Sequence, residues 1–281
     1  MLNLRLPRLL TAVMLGMSLS AAGTVFQMIF GNPLVEPGFL GVSQGAAFGA
    51  CLSIIFFSSA AWSVQSAAML FALLGLGLSY LLARHGRLGG SMLRLVLAGI
   101  AVSAIFSAGV GVLKYMADPL SQLQEITFWL LGGLWAITWA QALSIAPVVL
   151  ISLAVMLMMR WRLNLLSLDD TTVFSLGAAP ARERTILLTA AVAATAAVVS
   201  VCGMVGWVGL IVPHIARRLF GADTRRALPA AMLIGAIFAV LCDDAGRTLL
   251  AGEIPVGILT SFVGALFFMS IMLTHTLRTE R

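Results

Sequence analysis

Residues able to make or break bonds are few in this sequence and scattered. The three histidines, His85, His214 and His275, share no ligand spacing. The three cysteines, Cys51, Cys202 and Cys242, lie within or at the ends of apolar runs, where a thiol ordinarily packs. No metal site, cofactor or disulfide framework is expected. Asp243 and Arg247, four apart, read as a local ion pair, with Asp244 beside them. Glu36 is the lone charge between two apolar runs, either a solvated loop carboxylate or a group lining a cavity. A phosphate-binding G-x-x-x-x-G-K-[ST] string is absent and the sole lysine is Lys114, so the chain cannot hydrolyse ATP by itself. An enzyme would need a nucleophile, a base or metal ligands gathered together, and the sequence offers no such group.

The elements carrying these residues are overwhelmingly apolar. Of 281 residues 60% are hydrophobic and only 10% charged, with a mean hydropathy of +1.05; soluble domains carry roughly 25% charge. The chain is read as an all-α, polytopic membrane protein, one transmembrane domain over residues 1–281. The two-residue alternation of a membrane barrel is missing, and no polar stretch is long enough for a soluble domain. A pI near 10.2 could suggest nucleic acid, but the arginines are dispersed between apolar spans, so topology accounts for them and no nucleic-acid partner is expected.

About nine spans are predicted, roughly Leu6–Phe30, Val42–Phe57, Ala67–Ala83, Ser91–Met116, Trp139–Met159, Ile186–Val205, Trp207–Leu219, Ala227–Leu250 and Pro255–Leu277. The first imitates a signal peptide, with Ser20-Ala21-Ala22 like a cleavage site, but its apolar run continues to Phe30. Trp129, Trp135 and Trp139 fit an interfacial belt around a short helix between spans. Arg84, Arg87, Arg94, Arg160, Arg162, Arg182, Arg184, Arg217, Arg218, Arg225, Arg226, Arg278 and Arg281 then share one side, which is the cytoplasm. Arg5, Arg8, Lys114 and Arg247 are left opposite, either snorkelling to lipid headgroups or serving a partner.

Three links break the pattern of plain spans. Gly203–Pro229 carries Gly203, Gly206 and Gly209 at three-residue spacing, suited to close helix approach, and Pro213, which frees a carbonyl one turn back and should kink its helix. Asn32–Gly45 is predicted to be non-helical, with Pro33, Pro37, Gly38 and Gly41; irregular backbone at membrane depth must line a cavity or be buried in protein. Asn164–Arg184 is the longest polar stretch. In it Asp169 and Asp170 can cap a short helix that Gly177 stops, and Pro180 opens the next helix. Such a helix suits docking of a partner, the alternative being a solvated connector.

Two strings carry a resemblance. Residues 203–217 (GMVGWVGLIVPHIAR) and 32–43 (NPLVEPGFLGVS) are similar to G-x-[IV]-G-[FW]-[VI]-G-L-[IV]-[VI]-P-H-[IL]-x-R and N-P-L-[AV]-E-P-G-[LF]-L-G-[VI]-S, both from the FecCD/BtuC-type permeases of binding-protein-dependent ABC importers. The resemblance covers nearly the whole chain, with the family's first helix, before its R-L-P-R string, absent. It implies a bacterial inner-membrane permease that passes an iron chelate (ferric siderophore or haem) or cobalamin, powered by two separate ATPase subunits and fed by a periplasmic or lipoprotein binding protein. The permease would pair with a second copy or a paralogue. By the same resemblance Arg5, Arg8 and Arg247 meet glutamates of the binding protein, while Asn32, Leu34, Met92 and Leu93 narrow the cytoplasmic gate. Leu168, Asp169, Asp170, Thr171, Val173, Phe174, Leu176 and Gly177 fall in the ATPase-coupling loop L-x-L-[GD]-[DE]-x-x-A-x-x-L-G, where Val173 and Phe174 replace the usual Ala and the residue after it. The rival reading, an ion-coupled secondary transporter, calls for mid-membrane carboxylates and often inverted repeats; no clear repeat is visible, and the acids lie in loops or near helix ends.

Overall fold

The computed structural model describes residues 5–85, 91–135, 137–249 and 252–279, and these are helical with short connections. In chain order the helices are α1 (Arg5–Phe30), α2 (Val42–Phe56), α3 (Ala61–His85), α4 (Ser91–Met116), α5 (Gln122–Leu131), α6 (Trp139–Met158), α7 (Arg160–Leu166), α8 (Asp170–Ser175), α9 (Pro180–Cys202), α10 (Val208–Phe220), α11 (Thr224–Thr248) and α12 (Val256–Thr279). A single 3-10 turn, Pro37–Leu40, precedes α2. Six of them (α1, α3, α4, α6, α9 and α11) are long and apolar enough to cross a bilayer. Helices α2 and α10, at 15 and 13 residues, are shorter than a span requires. The chain is therefore a multi-pass, all-helical membrane protein; among the described residues six of the predicted nine spans have the length and apolarity to cross, and α2 and the Val256–Ser270 part of α12 are shorter apolar helices.

Burial separates a centre from a perimeter. In α1 and α9 72% of the most apolar window is buried, against 28% in α3 and 33% in α4 and α6. Lipid tails give helices no hydrophobic reason to associate, so close backbone packing through small residues has to hold the centre. Helix α1 supplies it on two sides. A Cβ added to Gly16 would lie 2.0 Å from the Gly235 carbonyl oxygen on α11, and one added to Gly23 would lie 1.9 Å from that of Gly209 on α10. Helix α2 meets α3 similarly, Gly45 and Gly49 lying against the carbonyls of Phe71 and Ala67.

Several boundaries differ from expectation for local reasons. Helix α3 starts at Ala61, before Ala67; α9 starts ahead of the Ile186 predicted for its span, at Pro180 as the proline itself signalled, since its missing N–H costs nothing at the first helical position. The Asn32–Gly45 link is not wholly irregular, because Pro37–Leu40 turns, while α2 begins at Val42 as predicted. The three-glycine stripe is not a helical stripe at all. Helix α9 ends at Cys202, residues 203–207 are non-helical, and only Gly209 lies on α10. Gly203, at φ +71°, turns the chain against the carbonyl of Trp129. Helix α10 continues through Pro213.

These contacts predict a contrast between glycines. Gly16→Val has only backbone to push against, and we expect a loss of roughly 1–3 kcal/mol or more. Gly111→Ala on α4, where an added Cβ meets nothing within 4 Å, should be neutral or stabilise by up to about 1 kcal/mol. Thermal unfolding of the detergent-purified variants checks both.

Candidate translocation and coupling sites

The two ends of the bundle differ in charge as the sequence predicts. At one end Thr224 donates to the Arg160 carbonyl (2.5 Å), Asn164 donates to Asp223 (2.7 Å), and Arg162 pairs with Glu183. Arg84, Arg94 and Arg184 line one cavity there, so the loops near 84–94, 160–184 and 217–226 do share an end. Arg87 and Arg281, and the side chain of Arg278, lie outside the described residues.

The opposite end holds Arg8, which was expected to face a partner. Its guanidinium is engaged within the chain: Nε and Nη2 donate to Asp243 (2.9 and 2.8 Å) and Nη1 donates to Glu253 (3.0 Å). The Arg8 and Asp243 side chains are only 13% and 10% exposed. This planar fork ties the start of α1 to the end of α11 and to the link before α12. The expected local pair of Asp243 with Arg247 is therefore corrected. Asp243 belongs to Arg8, and Arg247 donates instead to Asp244 (2.8 Å), three residues back and largely exposed. Arg5 is exposed at the same end. Lys114, in the last turn of α4, is exposed.

Between the two ends lie the irregular joints. Gly23 and Gly209 are in contact, and Gly23 stands 15 residues beyond Arg8 on α1. That puts the start of α10 about 22 Å below the arginine-poor end. Pro37 packs against Gly209, which brings the neighbouring Glu36 close to Trp207 at the α10 N-terminus. The 31–41 link thus climbs back into the bundle from the far end of α1, and α2 and α10 are short because both begin at depth. Irregular backbone here lines a cavity of about 170 Å³ with Glu36, Ser43, Gln44 and Thr195 on its walls, which answers the choice left open for Glu36. Trp207 is the one non-glycine with positive φ (70°) among the described residues, a conformation that costs about 1–3 kcal/mol.

The carbonyl that Pro213 leaves without an amide is that of Gly209, and Gln27 supplies the donor. Its Nε2 lies 3.2 Å from the carbonyl oxygens of both Gly209 and Leu210, and its Oε1 accepts from Arg217 Nη2 at 2.6 Å. Pro213 signalled a carbonyl in need of a partner, but the sequence did not say which side chain would provide it. A glutamine in an otherwise apolar span was the signal available. Glu253 was missed for a plainer reason, since its partner lies 245 residues away.

In the polar loop α8 forms as expected. Asp169 caps it, accepting from the N–H groups and hydroxyls of Thr171 and Thr172. Gly177, at φ +79°, ends the turn. The helix is anchored on one side only: Val173 is fully buried and Arg184 holds Asp170 at 2.5 Å. Its other side presents Phe174, 74% exposed, with Leu168 and Leu176 beside it. Of the expected gate residues, Asn32 accepts the Leu34 N–H in a tight turn after α1, while Met92 and Leu93 lie in the first turn of α4. Leu34 and Leu93 are about half exposed. Among the described residues no group of three or more His, Cys, Asp or Glu side chains is placed to hold a metal.

A multi-pass helical bundle with broken helices at depth and an exposed short helix at its basic end has the form of a transport permease. Residues 1–274 match the model of the FecCD transport family, and the chain belongs to that family. It is 39% identical over 268 residues to the molybdate import system permease protein MolB of Haemophilus influenzae, covering 95% of this chain and 78% of that one. It is likewise 39% identical to the hemin transport system permease protein HmuU of Yersinia pestis, covering 97% and 82%. Among solved structures it resembles a metal-chelate type ABC transporter in an inward-facing conformation, with a TM-score of 0.92, 38% identity and 97% and 86% coverage. The chain is a permease component of an ABC importer.

Two outcomes follow. Arg8→Ala strands the buried Asp243 carboxylate, and we expect a loss of roughly 3–5 kcal/mol. The double change Arg8→Met with Asp243→Leu should recover most of it in the same unfolding assay. At α8, hydrogen bonds from Thr172 and Thr171 hold the Asp169 carboxyl below the ordinary carboxylate range. A lowered folded pKa means the cap contributes fully above the unfolded value and is lost as pH falls through the folded one. Amide exchange at residues 171–173 should therefore open on acidification, whereas Asp169→Asn should remove that pH dependence.

Proposed function

We propose that two permease copies, or one copy and a paralogue, enclose a translocation pathway in a bacterial inner membrane, driven by two separate ATPase subunits docked at the arginine-rich, cytoplasmic end. The observation that carries this reading is α8. It is a capped, one-turn-plus helix held from behind by Val173 and Arg184, with Phe174 turned outward as an apolar tooth. A large exposed aromatic on a braced helix is wasted in water and fits a groove on a partner. Leu168, Thr171, Leu176 and Gly177 shape the same surface, and Asp169 and Asp170 fix its orientation.

At the other end a binding protein delivers its cargo. Arg5 and Arg247 offer exposed guanidiniums to its carboxylates, Arg247 exchanging its weak surface pair with Asp244. Arg8 completes the arginine set by holding the platform, since its own donors are turned inward. Asn32 and Leu34 from one element and Met92 and Leu93 from another narrow the cytoplasmic exit once a second copy faces them, a bulky apolar constriction. With α2, α10 and α12 added to the six long helices, nine crossings put α8 inside and Arg5 outside.

The cargo is a metal chelate, in the first instance of iron, as ferric siderophore or haem, with cobalamin of the same bulk. Relatives equally similar at 39% are named for molybdate and for hemin, so overall identity does not choose. What favours a chelate is the likeness to the metal-chelate type transporter. Membership of the FecCD transport family sets aside the ion-coupled secondary transporter.

Reconstitution in vesicles with the ATPase and the binding protein tests the reading. Uptake of a ferric chelate should require ATP and should not follow a proton gradient when the permease is alone. Phe174→Asp should weaken ATPase association by roughly 30-fold or more. Arg5→Glu with Arg247→Glu should weaken binding-protein association by about tenfold with ATPase docking unchanged. Gradient-driven uptake without ATPase would sink the proposal.

A further inference from the structure

A cavity of about 490 Å³ opens at the arginine-rich end between α3, the first turn of α4 and the start of α9. Its wall is divided by chemistry. Gly77, Leu81, Ala83 and Leu95 make an apolar side, and Arg84, Arg94 and Arg184 add three cations to the lining, against one carboxylate, Asp170. Asp170 is already held by Arg184 Nη1, whose Nη2 donates to the Leu166 carbonyl at 3.1 Å. Arg184 is only 8% exposed, and its Nε is buried without a partner. The coupling contacts described above do not use Arg84 or Arg94.

We propose that this cavity is a binding site for an anionic phospholipid, its phosphate among Arg84, Arg94 and Arg184 and its acyl chains along α3. Three observations carry the assignment. The charge is complementary, three cations to one anion around an opening at the end of membrane-crossing helices, and basic pockets in such places attract anionic headgroups. The apolar wall continues outward along α3, where Leu78, Leu81 and Leu82 are 44%, 57% and 48% exposed on a helix little buried by the rest of the chain. Leu81 precedes Arg84 by three residues, about 4.5 Å along the axis, so an amphiphile lying on that face places its headgroup at the guanidiniums. A bare oxyanion would leave the apolar wall uncovered.

Occupancy would matter to the neighbouring machinery. Arg184 also holds Asp170, the first residue of α8, so charge placed against Arg184 reaches the helix assigned above to ATPase docking. The lipid assignment itself requires only that the chain is embedded in a bilayer, and it stands or falls apart from the import reading.

The test uses the full-length chain purified in mild detergent. Thermal unfolding is followed with added phosphatidylglycerol or with phosphatidylcholine of the same acyl chains, and retained lipid is counted by native mass spectrometry. Phosphatidylglycerol should raise the unfolding temperature and phosphatidylcholine should not. Arg84→Gln with Arg94→Gln should lower phosphatidylglycerol affinity by roughly tenfold, and Arg84→Lys with Arg94→Lys should keep most of it. Equal stabilisation by the two lipids, or an unchanged response in the glutamine variant, overturns the proposal. So does full stabilisation by inorganic phosphate alone, which would mark a free-oxyanion site. If the glutamine variant kept its lipid but lost the ATPase, the pocket would belong to a protein partner, and the lipid assignment would be wrong. Should that variant not fold, Leu81→Glu, which spoils the apolar wall and leaves the arginines in place, must abolish phosphatidylglycerol retention for the proposal to stand.

Discussion

Helix α1 lies as deep in the bundle as it does because nothing larger than hydrogen projects from it at Gly16 and Gly23. With α11 and α10 pressed to backbone contact at these points, dispersion and short polar contacts act over distances that larger side chains would forbid. The remaining architecture follows from that approach. Ser20 can sit against Gly235, Gln27 can reach two carbonyls of α10, and Arg8 can fork onto Asp243. The Gln27 and Arg8 contacts are hydrogen bonds and an ion pair where little water is available to substitute for them, so they fix register as well as adding energy.

The same scarcity of water explains why the two breaks in the pattern lie together. A helix that starts at depth exposes amides without partners, and a chain that turns at depth exposes carbonyls. Here the turn at 31–41 and the start of α10 meet, with Glu36 near Trp207 and Gln27 answering the carbonyl that Pro213 releases. The negative group at a helix N-terminus is also favoured by the helix dipole. The two irregular pieces pack together around a small polar-walled cavity.

Much of this was legible in the residues themselves. Apolar runs gave the long helices, arginine placement gave the two ends, and Asp169, Gly177 and Pro180 marked α8 and its neighbour through local backbone rules. What was not legible depends on contacts far apart in sequence. Gly203, Gly206 and Gly209 suggested a helical stripe because their spacing is helical, but the tertiary demand for a turn against Trp129 overrode it. Asp243 suggested Arg247 as partner because four residues is a favourable helical spacing; a better-oriented fork from Arg8, 235 residues away, won. Local pattern could name groups needing partners without naming the partners.

The polar edge of α1 has a consequence for how the molecule is made. Thr11, Ser18, Ser20, Thr24 and Gln27 are all buried, yet the elements that cover them lie chiefly in α9, α10 and α11. During synthesis α1 must wait in the bilayer until α9, α10 and α11 have emerged; its Thr11, Ser20 and Thr24 hydroxyls are satisfied by carbonyls of their own helix, but the Gln27 amide has no carbonyl of α10 to meet. Shorter than a bilayer is thick, α10 cannot settle until α1 receives it. Assembly therefore closes from α9, α10 and α11 back onto α1, and a ribosome stalled before α10 would leave a chain inserted but not sealed.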